Sequence, residues 1–113
     1  MIKVYGIKNC DSVKKALKFF KTHDIDYELQ DFKTDPVSCK EIDSWLTQVD
    51  MKTLFNTRGT TYRTLKLKEL NLDDEQKKEW LCKENILIKR PVVDYNGQII
   101  VGFNEETYKK VFL

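Results

Sequence analysis

The sequence predicts an α/β fold in which a β-α-β unit and a β-β-α unit flank a helical segment, and three observations predict it. Residues 2–5 and 25–32 alternate apolar and polar side chains, as half-buried strands do. A second pair of short β patterns is joined by Asn96-Gly97, which is typical of a hairpin turn. Between the two units, over about residues 36–84, helical spacing and helix start signals replace the alternation.

The first unit places a helix over residues 11–22, between its two strands. Apolar side chains recur there at helical spacing, with lysines on the opposite face. Gly6 marks the turn after the first strand, and a right-handed crossover should make the two strands parallel. Cys10 therefore lies where the first loop enters the helix.

The helical segment begins after Pro36, which interrupts the preceding strand pattern. Ser38 and Glu41 have the spacing of a capping box and mark a helix start. Further helix signals follow: short periodic pieces at 51–55 and 61–67, and a cap at Asp73-Asp74.

The C-terminal unit is a hairpin followed by a helix. Val92–Tyr95 and Gln98–Val101 are its strands, and Asn96-Gly97 predicts a type I′ turn. Asn104 is expected to cap a final helix through Leu113 that buries three side chains: Tyr108, Val111 and Phe112. This order fits a thioredoxin-like core with about fifty residues of helix inserted in its middle, within one domain of residues 1–113.

The composition argues against several classes of function. Lys+Arg 20 nearly cancel Asp+Glu 18, so the net charge of +2 gives no reason to expect direct nucleic-acid binding. No apolar run approaches the ~18 residues of a membrane span, and the N-terminus lacks a signal peptide's apolar stretch, which favours a cytoplasmic protein. The three cysteines lack metal-ligand spacing, and their odd number suits a reducing compartment. The one histidine, His23, is interpreted as a helix C-cap, so neither a metal nor a bound cofactor is expected.

Cys10 is the candidate nucleophile. A thiol attacks as its thiolate, and a helix N-terminus lowers a thiol pKa because unpaired N–H groups and the dipole favour negative charge. Lys8 and Lys14 would add to this effect, and polar residues, including Asn9, flank the cysteine. The alternative is a small buried core residue, as cysteine often is. Its place between the turn and the apolar face favours the reactive role.

The three arginines are confined to two short segments, whereas lysines are spread along the chain. Arg58 and Arg63 lie in N-T-R-G-T-T-Y-R, and Arg90 precedes Pro91 in I-K-R-P-V-V. Arginine offers a rigid fork of donors that matches an oxyanion or a carboxylate. In a thioredoxin-like fold, a cis-proline at position 91 would hold Arg90 against Cys10. We therefore expect an anion site beside the cysteine, although Arg58 and Arg63 would equally suit a surface role at a helix end.

Spacing excludes two other thiol chemistries. A tyrosine-phosphatase loop needs Cys-x5-Arg, but Ala16 lies six residues after Cys10, and a dithiol reductase needs C-x-x-C, but position 13 is Val13. Cys39 and Cys82 are interpreted as residues of a surface loop or of helix packing. The thiol that resolves Cys10 would then come from another molecule, or from Cys39 or Cys82 after a rearrangement.

Four segments carry a resemblance that runs from end to end: V-Y-G-I-K-N-C-D-S-V-K-K-A (4–16), N-T-R-G-T-T-Y-R (56–63), I-L-I-K-R-P-V-V (86–93) and V-G-F-N-E-E (101–106). The chain resembles the ArsC/Spx/MgsR family of thioredoxin-fold proteins, which groups glutaredoxin-coupled arsenate reductases with Spx-type transcription regulators. By motif, Cys10 matches the family's catalytic cysteine, and Arg58 and Arg90 match its first two oxyanion-binding arginines. Ser12 partly keeps the Ser or Thr that is usual just beyond the cysteine.

The chain also departs from these relatives at three positions. Gly6 replaces the histidine of arsenate reductases, and Gly102 lies near their third arginine. The lost arginine would remove a contact worth ~1.5–3 kcal/mol, so arsenate reduction is expected to be weak. Val13 replaces the second cysteine of an Spx-type redox switch, which argues against such a switch.

Together, the residues and the resemblance predict a thiol-dependent reductase. Cys10 would attack an oxidised or oxyanion substrate, Arg58 and Arg90 would hold its anionic part, and Arg63 is a third candidate contact. The resemblance implies glutathione or another low-molecular thiol, glutaredoxin or thioredoxin as the reductant. The alternative is an Spx-like, non-enzymatic regulator that binds RNA polymerase or another protein, with Cys10 as a sensor or relic.

Overall fold

The structure is a computed structural model that describes residues 2–113, and the chain forms two compact units. One unit combines the chain up to Asp31 with Arg90–Leu113, and the other is the continuous segment Phe32–Lys89. The helices are α1 Asp11–Thr22, α2 Cys39–Leu46, α3 Met51–Leu54, α4 Thr60–Thr64, α5 Asp74–Lys83 and α6 Glu105–Phe112. Within residues 2–113, none of these helices is long and apolar enough to cross a membrane.

The first unit is built on a four-stranded mixed sheet with the order β2-β1-β3-β4. The strands are β1 Ile2–Gly6, β2 Tyr27–Asp31, β3 Val92–Tyr95 and β4 Gln98–Val101. β1 pairs with β2 in parallel and with β3 antiparallel, and β3 and β4 form the hairpin. The predicted thioredoxin-like core with a central helical insertion is confirmed.

The hairpin turn has the type I′ backbone that its sequence predicts. Asn96 and Gly97 both have positive φ, 52° and 93° respectively, as this turn requires. The Gly97 amide also donates to the Asp94 carboxylate at 2.8 Å. The turn therefore fixes the register between β3 and β4, and the separate pairing of β1 with β3 sets where Arg90 lies relative to β1.

Helices α1 and α6 supply the rest of the first unit's core. Phe19, Phe20 and Tyr108 pack there with apolar residues of β1 and β3. Asn104 caps α6 as predicted, because its Oδ1 accepts from the Thr107 amide at 3.0 Å. Of the other two side chains expected to be buried, Val111 and Phe112 are partly covered, and Phe112 packs against the core cluster.

The second unit consists of short helices whose starts are capped by side chains. Ser38 and Asp73 are N-caps of α2 and α5, and only the second completes a reciprocal capping box. The helix expected at 61–67 begins at Thr60 but ends at Thr64, and a left-handed Lys66 (φ 52°) leads into a 3₁₀ turn at Leu67–Leu70. A second 3₁₀ turn, Asn85–Leu87, follows α5 and was not predicted.

Candidate active site

Cys10 is the N-cap residue of α1, at the carboxyl end of the central strand β1. Its backbone is extended (φ −143°, ψ 124°), and its carbonyl accepts the first helical bond from the Lys14 amide at 2.9 Å. The side chain is half-buried, and Cys10 is a free cysteine. The thiol is therefore accessible at a helix start, as the sequence predicts.

Gly6 and Val13 fix the approach of α1 to the sheet. A Cβ added at Gly6 would lie 2.7 Å from Val13 Cγ2, far inside normal carbon contact. Both residues are buried, and Val13 is fully inaccessible to solvent. The absence of a side chain at position 6 thus lets the first turn of α1 pack directly on the end of β1.

The surroundings of the sulfur favour its ionised form. Partial burial is the largest single influence and raises the pKa of Cys10, but the nearby Val13 amide, the Arg90 guanidinium and the Ser12 amide together outweigh it. The thiol makes no capping hydrogen bond to these amides, so they act as dipoles close to the sulfur. The net result is a pKa below that of an ordinary cysteine. Because these donors stabilise the thiolate rather than the thiol, the site stabilises a nucleophile.

Arg90 reaches Cys10 from the segment that enters β3. The Arg90–Pro91 peptide is cis, Pro91 is buried, and the Pro91 carbonyl accepts from the Gly102 amide at 2.8 Å. Gly102 itself has a φ of 82°, in the left-handed region that favours glycine. Its carbonyl accepts from the Tyr108 hydroxyl at 2.8 Å, so the end of β4 is tied to α6.

The other predicted residues of the first unit differ in their relation to the sulfur. Ser12 contributes through its backbone amide. Lys8 and Asn9 are exposed in the loop before Cys10, and their supporting roles stay predictions. The N–H groups at the helix start were predicted to stabilise the thiolate without being named individually, and the amides two and three residues after the N-cap, Ser12 and Val13, are the ones involved.

Arg58 and Arg63 belong to the second unit. Both side chains are exposed, the Arg58 amide donates to Asn56 Oδ1 at 3.1 Å, and Arg63 Nη1 donates to the Arg58 carbonyl at 3.1 Å. Arg63 therefore supports the backbone of the segment that carries Arg58. Their predicted anion-binding roles stay predictions.

Cys39 and Cys82 form a disulfide within the second unit. The sequence placed them in a surface loop or in helix packing, and the bond between them was not predicted. The two positions are 43 residues apart, so no local spacing indicates that the start of α2 meets the end of α5.

Comparison with known proteins places this architecture in a family. A sequence profile of the ArsC family matches residues 5–111, which include Cys10 and Arg90. The chain belongs to the ArsC family. An uncharacterised protein of Haemophilus influenzae is 41% identical over 113 residues, which cover 99% of both chains.

Two further relatives of this ArsC-family protein are named after a function. The solution structure of an arsenate reductase (ArsC) related protein from Brucella melitensis is similar at 35% identity and a TM-score of 0.77, covering 98% of this chain and 93% of that one. The global transcriptional regulator Spx of Listeria monocytogenes is 28% identical, covering 97% of this chain and 86% of that protein. The chain is thus similar both to a protein named as arsenate-reductase-related and to a protein named as a transcriptional regulator.

Proposed function

We propose that this ArsC-family protein is a thiol-dependent reductase whose nucleophile is Cys10. The observation that carries the proposal is the half-buried Cys10 sulfur at a helix start, with the Arg90 guanidinium and two backbone amides stabilising its negative charge. A cation beside the sulfur also suits an anionic substrate, because the guanidinium can turn from the thiolate to a bound carboxylate or oxyanion.

The reaction would proceed by thiolate exchange. With a mixed disulfide as substrate, the Cys10 thiolate attacks one sulfur, the other sulfur leaves as a thiolate, and an external thiol then attacks the new disulfide and frees Cys10. With an oxyanion such as arsenate, Cys10 displaces one hydroxide. An external thiol next attacks the Cys10 sulfur, and the electron pair of the broken sulfur–arsenic bond reduces arsenic to arsenite. A second external thiol then frees Cys10 from the mixed disulfide.

The substrate's anionic part would be held by Arg90, which lies beside the Cys10 sulfur. The left-handed glycine at position 102 offers no side chain for a further contact. A substrate with carboxylates, such as a glutathione mixed disulfide, therefore fits better than arsenate, which needs more charge around one central atom. Glutathione, or a glutaredoxin or thioredoxin, would supply the resolving thiol.

The test compares reduction of a glutathione–peptide mixed disulfide with reduction of arsenate, using glutathione as reductant. Cys10→Ser should abolish both activities, and Arg90→Ala should slow Cys10 alkylation at neutral pH by raising its pKa. Arg90→Lys is the matched control, because it keeps the charge but loses the guanidinium fork. If Arg90→Ala left both alkylation and turnover unchanged, the proposed site would be refuted.

The second candidate function is transcriptional regulation, and the similarity to Spx along 97% of the chain favours it. In this case the protein would bind RNA polymerase without thiol chemistry. Pull-down of purified polymerase α subunit with the wild type and with Cys10→Ser separates the two functions. Equal binding by both proteins, together with no turnover by the wild type, would favour the regulator.

A further inference from the structure

The second unit holds a cysteine pair that the proposed reaction of Cys10 does not use. Cys39 is the first residue of α2, and Cys82 lies near the end of α5. Their Cα atoms are 5.1 Å apart, inside the range usual for disulfides, and the bond closes a loop across 43 residues of sequence.

A buried amide holds the two cysteine-bearing segments together without involving sulfur. Asn85 is only 8% exposed, its Oδ1 accepts from the Val37 amide at 2.8 Å, and its Nδ2 donates to the Leu81 carbonyl at 2.9 Å. Val37 lies two residues before Cys39, and Leu81 lies immediately before Cys82. Because these bonds do not depend on the disulfide, they would keep the two thiols adjacent after reduction.

The two sulfurs differ in accessibility. Cys39 is an exposed residue, whereas Cys82 is partly covered. Thiol–disulfide exchange requires a thiolate to reach the sulfur that it attacks, so accessibility decides which sulfur an external reagent meets first.

We propose that Cys39 and Cys82 form a reversible redox site, with Cys39 as the sulfur through which low-molecular thiols and disulfides enter. On oxidation, the Cys39 thiolate attacks a low-molecular disulfide, forms a mixed disulfide and releases one thiolate. The Cys82 thiolate then attacks the Cys39 sulfur and releases the second. The cysteines give up two electrons and two protons, and the oxidant leaves as two thiols.

Reduction reverses these steps, with the external thiol attacking Cys39. In a reducing compartment a disulfide is usually transient and reports redox conditions. The state of the Cys39–Cys82 pair would therefore follow the ratio of low-molecular disulfide to thiol, separately from the chemistry of Cys10.

The equilibrium test uses the full chain with Cys10→Ala in glutathione buffers of varied ratio. Acid quenching, alkylation and peptide mapping give the fraction that carries the Cys39–Cys82 cross-link. The equilibrium constant for oxidation of the cysteine pair by glutathione disulfide has units of concentration, and it equals the effective concentration of one cysteine thiol at the other. We expect this constant to be at least ~10-fold higher in the native protein than in urea, because the folded chain holds the two thiols next to each other. An equal or lower native value would overturn the proposal.

Three variants test the parts of the proposal in the same Cys10→Ala background. Asn85→Ala should lower the native constant toward the value in urea; an unchanged constant would refute the role of the buried amide. Cys82→Ala leaves Cys39 as the only reactive thiol, and Cys39→Ala leaves Cys82. Glutathione disulfide should modify Cys39 ~10-fold faster than Cys82. Equal rates, or faster modification of Cys82, would refute entry through Cys39. This comparison does not depend on whether the Asn85→Ala variant folds.

Discussion

The close packing of Gly6 on Val13 leads to a sharp prediction for Gly6→Ala. The new methyl carbon would lie 2.7 Å from Val13 Cγ2, whereas carbon atoms in contact are normally ~3.5–4.0 Å apart. Val13 cannot turn away easily, because it is fully buried and a β-branched side chain in a helix has essentially one χ1 rotamer. Overpacking of this kind costs ~1–3 kcal/mol.

Chemical denaturation would measure this cost directly. For a domain of this size, the same change corresponds to a fall in Tm of ~4–12 °C. The displacement of α1 should also move the Val13 amide from the Cys10 sulfur and raise the thiol pKa. The midpoint of Cys10 alkylation against pH should therefore rise in Gly6→Ala.

A double-mutant cycle with Val13→Ala provides the control. Val13→Ala alone removes two buried methyl groups and should cost roughly 2 kcal/mol. In the double variant, the methyl at position 6 has room, so the combined loss should be smaller than the sum by ~1 kcal/mol or more. Additive losses, or a Gly6→Ala variant as stable as the wild type, would refute the packing argument.

Three other outcomes follow from the structure. Because the pKa of Cys10 is lowered on folding, its thiolate stabilises the native state above the unfolded thiol pKa of ~8.5, and this stability is lost as pH falls through the folded pKa. The difference in unfolding free energy between wild type and Cys10→Ser should thus grow from pH 6 to 9, and a constant difference would contradict the lowered pKa. Tyr108→Phe removes the hydrogen bond to the Gly102 carbonyl and should cost ~1 kcal/mol in urea denaturation, so an unchanged midpoint would argue against that bond. Reducing the Cys39–Cys82 disulfide should lower the unfolding free energy by ~4 kcal/mol on the chain-entropy estimate for 43 residues, and a Cys39→Ala variant should show no such response to reductant.

Much of the fold was predictable because its signals are local. α1 has the predicted bounds, the hairpin strands begin and end where expected, and Asn104 and Asp73 cap the helices that they precede. Each of these features depends on residues within a few positions of one another, so the sequence pattern alone is sufficient.

Features that depend on distant residues were predictable only in part. The placement of Arg90 at Cys10 came from the expected fold, since 80 positions separate the two residues in the sequence. The pairing of Cys39 with Cys82 was missed, because no periodicity shows which helix ends meet. The Val13 amide is a local case: N–H groups at the helix start were predicted to stabilise the thiolate, and this amide is one of them.

The discontinuity of the first unit has a consequence for the order of events during synthesis. The central strand β1 can pair with β2 once the first 31 residues have left the ribosome, but its other partner, β3, begins only at Val92. The intervening unit, Phe32–Lys89, is continuous and can fold while β1 still has one edge unpaired. An unpaired edge can add a strand from another nascent chain, so the residues of β1 are where we expect misassociation on crowded polysomes to begin.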